Sequence, residues 1–218
     1  MTAKEPWNLL LEGAAILGIS LTHDQMKAFE LYLKELNLWR KKINLASRKD
    51  DREVILKDFL DSLTLLKYLP QEKSVLDLGS GAGFPGIPLR IVRPDLKIVL
   101  LEATRKKVFF LKEVLRISKL SGVEVRWSGE DGGIEGLSAT FDFVISRAFG
   151  SLLAFASEGV DFLKKGGILL AMKGKKGREE LEESLASLKD MSLEPNFLEA
   201  IQLPYLGHER NLIGLKKK

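Results

Sequence analysis

A glycine-rich stretch after a short apolar strand is the part of this sequence with the clearest chemical content. Residues 74–88 read Ser-Val-Leu-Asp-Leu-Gly-Ser-Gly-Ala-Gly-Phe-Pro-Gly-Ile-Pro, with an acid, Asp77, just before the first glycine. Glycines at this density let the backbone turn tightly and let a ligand approach the main-chain N–H groups. One strand later, an apolar run ends in Glu102, a carboxylate suited to ribose hydroxyl groups. The combination predicts a site for a nucleotide-like cofactor.

Three kinds of site are compatible with these glycines. Gly81, Gly83 and Gly86 have the spacing of a dinucleotide-binding loop, and Glu102 follows at about the expected distance. The second kind is a pocket for S-adenosylmethionine, and the third is a structural turn without a ligand. A phosphate-binding P-loop is excluded, because no Gly-Lys-Ser/Thr follows the glycines.

The charges around the loop favour S-adenosylmethionine over a dinucleotide. Asp77 would repel a pyrophosphate, whereas it would attract the cationic amino-acid end of S-adenosylmethionine. Pro85 and Pro88 also remove N–H groups from the start of the next helix, where a pyrophosphate would need them. We therefore expect S-adenosylmethionine as the cofactor, with the NAD-type alternative still open.

Composition limits the classes of protein that this chain can belong to. The 218 residues are 45% hydrophobic and 29% charged, as in ordinary globular proteins, and include no cysteine. A disulfide, a thiolate metal site and a cysteine nucleophile are therefore excluded, and we expect no metal. No apolar run is long enough for a membrane helix, and the first residues lack a signal-peptide pattern. We expect a cytoplasmic protein that is a monomer.

Basic residues occur in clusters, although the net charge is only +4. They lie at 40–42, 105–107, 173–178 and 216–218. A single cluster is usually a solvated surface, but several clusters beside the predicted cofactor loops favour a polyanionic partner.

The chain changes its pattern near residue 70, which predicts a helical N-terminal extension over 1–70 and a second domain over 71–218. The extension contains three predicted helices. The first ends at Gly18, and the second begins after Thr22, which forms a capping box with Gln25. The third covers about 51–68. Beyond it, strands and helices alternate, which is typical of an α/β fold with a mostly parallel sheet. We expect strands near 74–78, 97–101, 123–127, 141–146, 167–173, 197–202 and 210–216, with helices near 85–93, 104–119, 150–164 and 178–189. Thr104 is expected to cap the second of these helices.

The sequence resembles the GidB/RsmG family over essentially its whole length. The resemblance rests on Leu76-Asp-Leu-Gly-Ser-Gly-Ala-Gly-Phe-Pro-Gly-Ile-Pro-Leu, on Ile145-Ser-Arg-Ala and on Glu209-Arg-Asn-Leu, among other matching strings. It implies a class I, Rossmann-like methyltransferase with a seven-stranded sheet. It also implies methyl transfer from S-adenosylmethionine to N7 of a guanine in the 16S RNA of the small ribosomal subunit. The substrate would be the RNA or a small-subunit assembly particle.

The resemblance also implies roles for individual residues. Arg147, Lys173 and Asn44 match residues expected at the catalytic face. Glu102 matches the ribose-binding acid, and Arg147 would also reach the cofactor. The remaining cofactor-binding residues implied in this way are Asp77, Gly79, Ser80, Gly81, Gly83 and Phe84 in the loop, and Asp131 or alternatively Glu130 near the adenine.

The chain departs from the family pattern at two positions. Gly129 stands where the family usually has an arginine, and Asp58 stands where it normally has a histidine. Both changes remove basic groups. Lys57 and Arg126 are nearby cations that could compensate.

Methylation at guanine N7 suits this residue set, because N7 has a free lone pair and needs no general base. Arg147 could instead be a structural ion-pair partner, and Lys173 could simply end a strand. The other functions compatible with the sequence are a methyltransferase for another RNA or a small molecule, an NAD-type oxidoreductase, and a non-catalytic ribosome-binding factor.

Overall fold

The structure is a computed structural model that describes residues 5–45, 48, 50–129, 133–207 and 209–218. No helix within these ranges is long and apolar enough to cross a membrane.

A seven-stranded sheet forms the centre of the molecule. Its strands are β1 Ser74–Leu78, β2 Lys97–Glu102, β3 Val123–Trp127, β4 Phe141–Arg147, β5 Leu163–Lys173, β6 Leu193–Gln202 and β7 Glu209–Lys217. Their order across the sheet is β3-β2-β1-β4-β5-β7-β6. The first five strands in that order are parallel, whereas β7 is antiparallel to β5 and β6 is antiparallel to β7. The predicted mostly parallel sheet is therefore confirmed.

Helices cover both faces of the sheet. The α-helices are α1 Glu5–Ile16, α2 His23–Trp39, α3 Asp51–Val54, α4 Leu60–Leu63, α5 Gly86–Val92, α6 Arg105–Ser118, α7 Leu152–Gly159 and α8 Gly177–Asp190. One face of the sheet packs against α1, α2, α5, α6 and the segment before β1, and the other face packs against α7 and α8.

The N-terminal helices share a hydrophobic core with the sheet. The ring of Phe59 packs against Phe29 and Tyr32 of α2 and against Phe84 of the glycine loop, with ring centroids between 4.9 and 6.0 Å apart. Thr22 and Gln25 form the predicted capping box at the start of α2. The N-terminal helices are thus packed against the predicted cofactor site, and the domain division at residues 70 and 71 stays a prediction.

Several predicted elements differ in detail from those observed. The helix predicted over 51–68 is helical throughout but contains a π-helical turn at Ile55–Phe59 and a 3₁₀ segment at Thr64–Tyr68. The helix predicted over 150–164 ends at Gly159, and β5 begins at Leu163 rather than 167. Gly166 has a φ of 77°, so the strand passes through an irregularity that the residue pattern does not reveal.

The sheet register brings the predicted site residues to one edge. Asp77 of β1 is aligned with Leu100 of β2 and Ile145 of β4. Glu102 and Arg147, at the ends of those strands, therefore lie at the same level on either side of β1. In doubly wound sheets, ligands bind at this carboxyl edge, where the strand order reverses.

Candidate cofactor and substrate sites

The glycine loop between β1 and α5 has backbone conformations that favour glycine. Gly79, Gly81 and Gly83 have φ angles of 74°, 60° and 94°, all in the left-handed region. The N–H groups of Gly79 and Ser80 donate to the carbonyl oxygen of Leu101, at 2.9 and 3.1 Å. The loop is therefore attached to the end of β2, and a Cβ atom at Gly83 would lie 2.5 Å from Cδ1 of Ile87.

Glu102 joins the glycine loop to the loop after β2. Its side chain is buried, Oε2 accepts a hydrogen bond from the Gly81 N–H, and Oε1 accepts one from the Thr104 N–H, each at 2.8 Å. An ionised carboxylate has about four lone-pair sites, so acceptor capacity is left for ribose hydroxyl groups. Thr104 was expected to cap α6; it occupies the N-cap position, but its side chain makes no capping bond.

Asp77 is fully buried beneath the loop. Its Oδ2 accepts a hydrogen bond from the Gly86 N–H at 2.8 Å, whereas Oδ1 has no partner among the described residues. Burial raises the pKa of this carboxyl to about 7, although the Gly86 bond and the charge of Arg147 act in the opposite direction. An unpartnered buried oxygen is a suitable acceptor for an ammonium group, so the residue fits the cationic end of S-adenosylmethionine.

A cavity of about 560 Å³ opens at the carboxyl ends of β1 and β2. Its lining is mainly apolar and includes Phe149, three serines and the acids Glu158 and Asp161. Such a pocket has the size and character that suit a nucleoside. Among the residues that line it are Leu78, Gly79, Leu101, Ala103, Ser128 and Phe149.

The loop after β3 bears on the adenine prediction. Glu130 and Asp131 lie outside the described residues, so their predicted role stays a prediction. A Cβ atom at Gly129 would lie 2.7 Å from Nε1 of Trp127, an indole that donates to the Ala103 carbonyl. An arginine at position 129 would therefore require Trp127 to move. The guanidinium of Arg105 lies over this indole, 5.4 Å from the ring centroid.

Arg147 ends β4 and forms a buried ion pair. Its Nη1 donates to Oδ1 of Asp58 at 2.6 Å and to the carbonyl oxygen of Lys57 at 2.8 Å. The guanidinium lies over the ring of Phe84, 4.9 Å from the ring centroid. The ion pair that the sequence left open as an alternative is thus present, and Arg147 joins the N-terminal extension to the glycine loop.

Two buried aspartates hold a cluster of arginines at this edge. Arg48 makes a two-bond contact with Asp58, at 2.8 and 2.6 Å, and Arg210 makes the same contact with Asp61. Arg147 lies between them, 3.6 Å from Asp61. We call these five residues the arginine cluster. Arg48, Asp61 and Arg210 carried no predicted role, although two of them lie within strings that resemble the family.

Lys57 and Arg126 were expected as nearby cations that could compensate for the missing basic groups, and that role stays a prediction. Lys57 pairs with Glu53 at 2.6 Å and Arg126 pairs with Glu124 at 2.5 Å. The cation that pairs with Asp58 in addition to Arg147 is Arg48. It comes from a segment ten residues earlier, where local sequence gives no sign of the contact.

Lys173 and Asn44 differ in their surroundings. Lys173, at the end of β5, is buried and donates to the Gly150 carbonyl at 2.7 Å, while also pairing with Glu180 at 2.9 Å. With Arg48, Arg147 and Arg210 it lines a cavity of about 370 Å³. Asn44 is exposed and is not among the residues lining this cavity. The predicted catalytic roles of both residues stay predictions.

A metal site is absent from the part of the chain that the structure covers: no group of His, Asp or Glu side chains there could hold an ion. The side chains at the carboxyl edge are instead engaged with main-chain N–H groups or with arginine and lysine.

Comparisons with known proteins agree with this architecture. Residues 25–213 match the GidB family, described as rRNA small subunit methyltransferase G. A protein named ribosomal RNA small subunit methyltransferase G from Geotalea uraniireducens is 42% identical, covering 99% of this chain and 97% of that protein. One of the same name from Geobacter metallireducens is 37% identical, covering 99% and 98%.

Solved structures resemble the fold at low sequence identity. A SAM-dependent methyltransferase from Aquifex aeolicus has a TM-score of 0.58 at 21% identity, covering 86% of this chain and 98% of that one. M. jannaschii TYW2 in complex with AdoMet has a TM-score of 0.60 at 16% identity, covering 81% and 78%. The class I fold is thus confirmed, and the family match over most of the sequence gives the assignment: this chain belongs to the GidB family of small-subunit rRNA methyltransferases.

Proposed function

We propose that this protein transfers a methyl group from S-adenosylmethionine to N7 of a guanine in the 16S RNA of the small ribosomal subunit. The observation that carries the proposal is the hydrogen bond from the Gly81 N–H to the Glu102 carboxylate, beside the 560 Å³ cavity. In a chain of this family, a buried acid that is bonded to a glycine loop and whose two neighbours in the chain line a nucleoside-sized pocket supports S-adenosylmethionine binding.

The residues around the pocket suit different parts of this cofactor. Glu102 would accept hydrogen bonds from the ribose, and the backbone of Gly79, Ser80 and Gly81 would lie against the amino-acid portion. Asp77 would accept a bond from the ammonium through its unpartnered oxygen. The other positions are assigned by resemblance to the family: Gly83 and Phe84 in the loop, and Glu130 or Asp131 at the adenine.

When bound, S-adenosylmethionine supplies an electrophilic methyl group on a sulfonium. The protein then has to hold the guanine in line with that methyl at near-attack distance, because N7 carries a lone pair and no proton must leave. Arg147 lies between the glycine loop and the 370 Å³ cavity, where it would bind the guanine edge or a phosphate. Lys173 and Asn44 would assist in positioning the RNA.

RNA in either form, naked or within an assembly particle, fits the charge of this edge. Arg48, Lys57, Lys175 and Arg210 line a second cavity of about 440 Å³ next to the first. Lys175, Lys176 and Arg178 are exposed around the start of α8. Phosphate contacts by such side chains would release counterions and contribute to affinity. We further propose that the protein acts as a monomer in the cytoplasm.

The decisive experiment maps N7-methylguanine in small-subunit RNA from cells with and without the gene. We expect one modified guanine to disappear in the deletion strain and to return with the wild-type gene. Purified protein should then methylate naked 16S RNA, assembly particles or intact subunits to different extents, which identifies the substrate form. Unchanged N7 methylation in the deletion strain would contradict the proposal.

RNA binding is tested separately by its salt dependence. Replacing Lys175, Lys176 and Arg178 with glutamine should reduce the slope of log affinity against log salt by about 2, at roughly 0.7–0.9 for each phosphate that is no longer neutralised. The matched control replaces a set of exposed lysines at the opposite edge of the sheet: Lys97, Lys119 and Lys165. Equal slopes for both variants would show that Lys175, Lys176 and Arg178 do not contact the RNA phosphates.

A further inference from the structure

Asp58 is a charged residue in an unusual position. Its side chain has no solvent exposure, and it lies in the π-helical turn Ile55–Phe59, ahead of β1 in the chain. The carboxyl nevertheless meets the carboxyl edge of the sheet, because the extension packs against that edge. π-Helical turns are rare and occur frequently at functional sites.

The carboxylate of Asp58 is shared between two arginines. Its Oδ1 accepts from Nη1 of Arg147 and from Nη2 of Arg48, both at 2.6 Å, and its Oδ2 accepts from Nε of Arg48 at 2.8 Å. One negative charge thus faces two positive ones. A buried carboxylate paired in this way is neutralised, while the arginines keep a net positive charge toward the cavity.

Contacts on three sides fix the orientation of Arg147. Nη1 is engaged by Asp58 and by the Lys57 carbonyl, and one face of the guanidinium lies over Phe84. The side chain retains 14% exposure, and it lines the 370 Å³ cavity. The bonds formed within the described residues leave Nε and Nη2 available as donors. A planar guanidinium held along one edge can present its other donors in a defined direction.

We propose that Asp58 is a positioning residue for methyl transfer, which acts by holding Arg147 so that its remaining donors face the incoming RNA. This inference rests on the proposed function, in which Arg147 contacts the substrate. Arg48 assists by pairing with the second oxygen of Asp58.

Two measurements test the proposal with the full-length protein. Side-chain NMR of arginine should show hindered rotation of the Arg147 guanidinium in the wild type and faster rotation in Asp58→Asn. Single-turnover methylation of the RNA substrate should be about 10- to 100-fold slower in Asp58→Asn, within the range expected when a reactant is misplaced. Binding of S-adenosylhomocysteine should change much less than the rate, because the Asp58 carboxylate bonds to Arg147 and Arg48 and not to the glycine loop itself.

A double-mutant comparison separates positioning from a general loss of stability. Arg147→Ala should be slow, and adding Asp58→Asn to it should cause little further loss, because Asp58 would act only through Arg147. The matched control is Asp142→Asn. It removes a hydrogen-bonded carboxylate at the end of β4 opposite to Arg147, and it should retain full activity. If Asp58→Asn does not fold, Asp58→Glu keeps the charge, displaces Arg147 and serves in the same comparison.

The outcomes distinguish the two proposals. Independent, multiplying effects of the two substitutions would overturn the positioning role, as would an Asp58→Asn variant with wild-type turnover. Unchanged guanidinium rotation would also overturn it. A wild-type protein that methylates no small-subunit RNA would instead contradict the proposed function, while the NMR measurement would still decide whether Asp58 holds Arg147.

Discussion

The cofactor loop and the arginine cluster lie at the same edge of the sheet but use their carboxylates differently. In the loop, Glu102 and Asp77 accept hydrogen bonds from main-chain N–H groups of Gly81, Thr104 and Gly86. In the cluster, by contrast, Asp58 and Asp61 accept from guanidinium groups of side chains. Buried carboxylates thus fix the backbone in the cofactor loop and long side chains in the arginine cluster.

This difference indicates how the two halves of the site are specialised. A backbone loop held by buried acids forms a rigid cradle, which suits a ligand of constant shape. Arginine side chains lose considerable rotamer freedom when they are fixed, and two-bond contacts with carboxylates hold them in one geometry. Once fixed, they present charge over a wide surface, which suits a large polyanion. Loss of an acid should therefore affect cofactor affinity in the first region and turnover in the second.

The largest effect is expected for Arg147→Ala, which tests the arginine side of the comparison. Methyl transfer should fall by about 10²-fold, since the substrate loses a positioning group. Stability should fall by about 1–3 kcal/mol, the scale of hydrogen bonds to charged groups. It should not fall further, because Arg48 and Arg210 still pair with Asp58 and Asp61. Single-turnover kinetics and thermal unfolding provide the measurements.

Arg93→Ala is a suitable control for that prediction. Arg93 makes a similar two-bond contact with Asp95, but beyond the end of α5 and away from the site. The variant should lose stability while keeping its rate of methyl transfer. If the two variants lose activity in proportion to stability, Arg147 has a structural role only.

Glu102→Ala should have the next largest effect, on the cofactor side. The variant can no longer bond the ribose or the N–H groups of Gly81 and Thr104, so S-adenosylmethionine binding should weaken by about 1–3 kcal/mol. Calorimetry measures the affinity, with exposed Glu124→Ala on β3 as the control. An affinity equal to that of the wild type would show that Glu102 supports neither the ribose nor the loop. NAD should not bind either protein.

Asp77 should give the protein a stability that depends on pH. Its pKa is raised to about 7 in the folded state by burial, so the folded protein binds a proton that the unfolded chain releases near pH 4. Between these values, stability should fall as pH rises, by up to about 1.4 kcal/mol per pH unit. Asp77→Asn removes this contribution. Chemical denaturation of both proteins from pH 4 to 8 measures the difference, which should level off above pH 7.

If the stability of the wild type and of Asp77→Asn depended on pH in the same way, the raised pKa assigned to Asp77 would be contradicted. Such a result would mean that Asp77 has the same pKa in the folded and unfolded states, so that burial is offset by partners beyond those described.

The smallest effect is expected for Tyr32→Phe, which sharpens the comparison by testing how α2 supports the loop. Tyr32 is fully buried, and its hydroxyl donates to the carbonyl oxygen of Ala82, between two glycines of the loop. Loss of this bond should weaken cofactor binding by about 0.5–1.5 kcal/mol, without a direct effect on RNA affinity. Tyr68→Phe, which removes a hydroxyl bonded to Glu199, is the control. Equal cofactor affinities for both variants would exclude Tyr32 as a support of the loop.

The cofactor half of the site was largely accessible from the sequence. The glycines, Asp77 and Glu102 lie in two short segments, and each follows an apolar strand. Because parallel strands place their carboxyl ends together, strand order alone brings these segments into contact. The family match confirms the methyltransferase prediction. The error concerned Thr104, whose capping role depended on a hydroxyl orientation that the sequence pattern does not contain.

The arginine cluster could not be predicted in the same way. Its members come from segments near 48, 58–61, 147 and 210, which no local period connects. The sequence suggested Lys57 and Arg126 as cations near the changed positions, and it gave no sign that Arg48 pairs with Asp58. Contacts between long side chains depend on how the extension packs against the sheet, and that packing is set by many apolar residues together.

The sequence by itself determined the alternation of strands and helices, the glycine loop with its two acids, and membership of a methyltransferase family. These features depend on residue types and spacing within segments, where covalent geometry leaves few alternatives. Only the tertiary structure decided that Asp58 pairs with Arg48 and Arg147, that Asp61 pairs with Arg210, and that Tyr32 reaches the loop. These contacts join residues far apart in the chain, and the shared hydrophobic core beneath them determines which charged side chains meet.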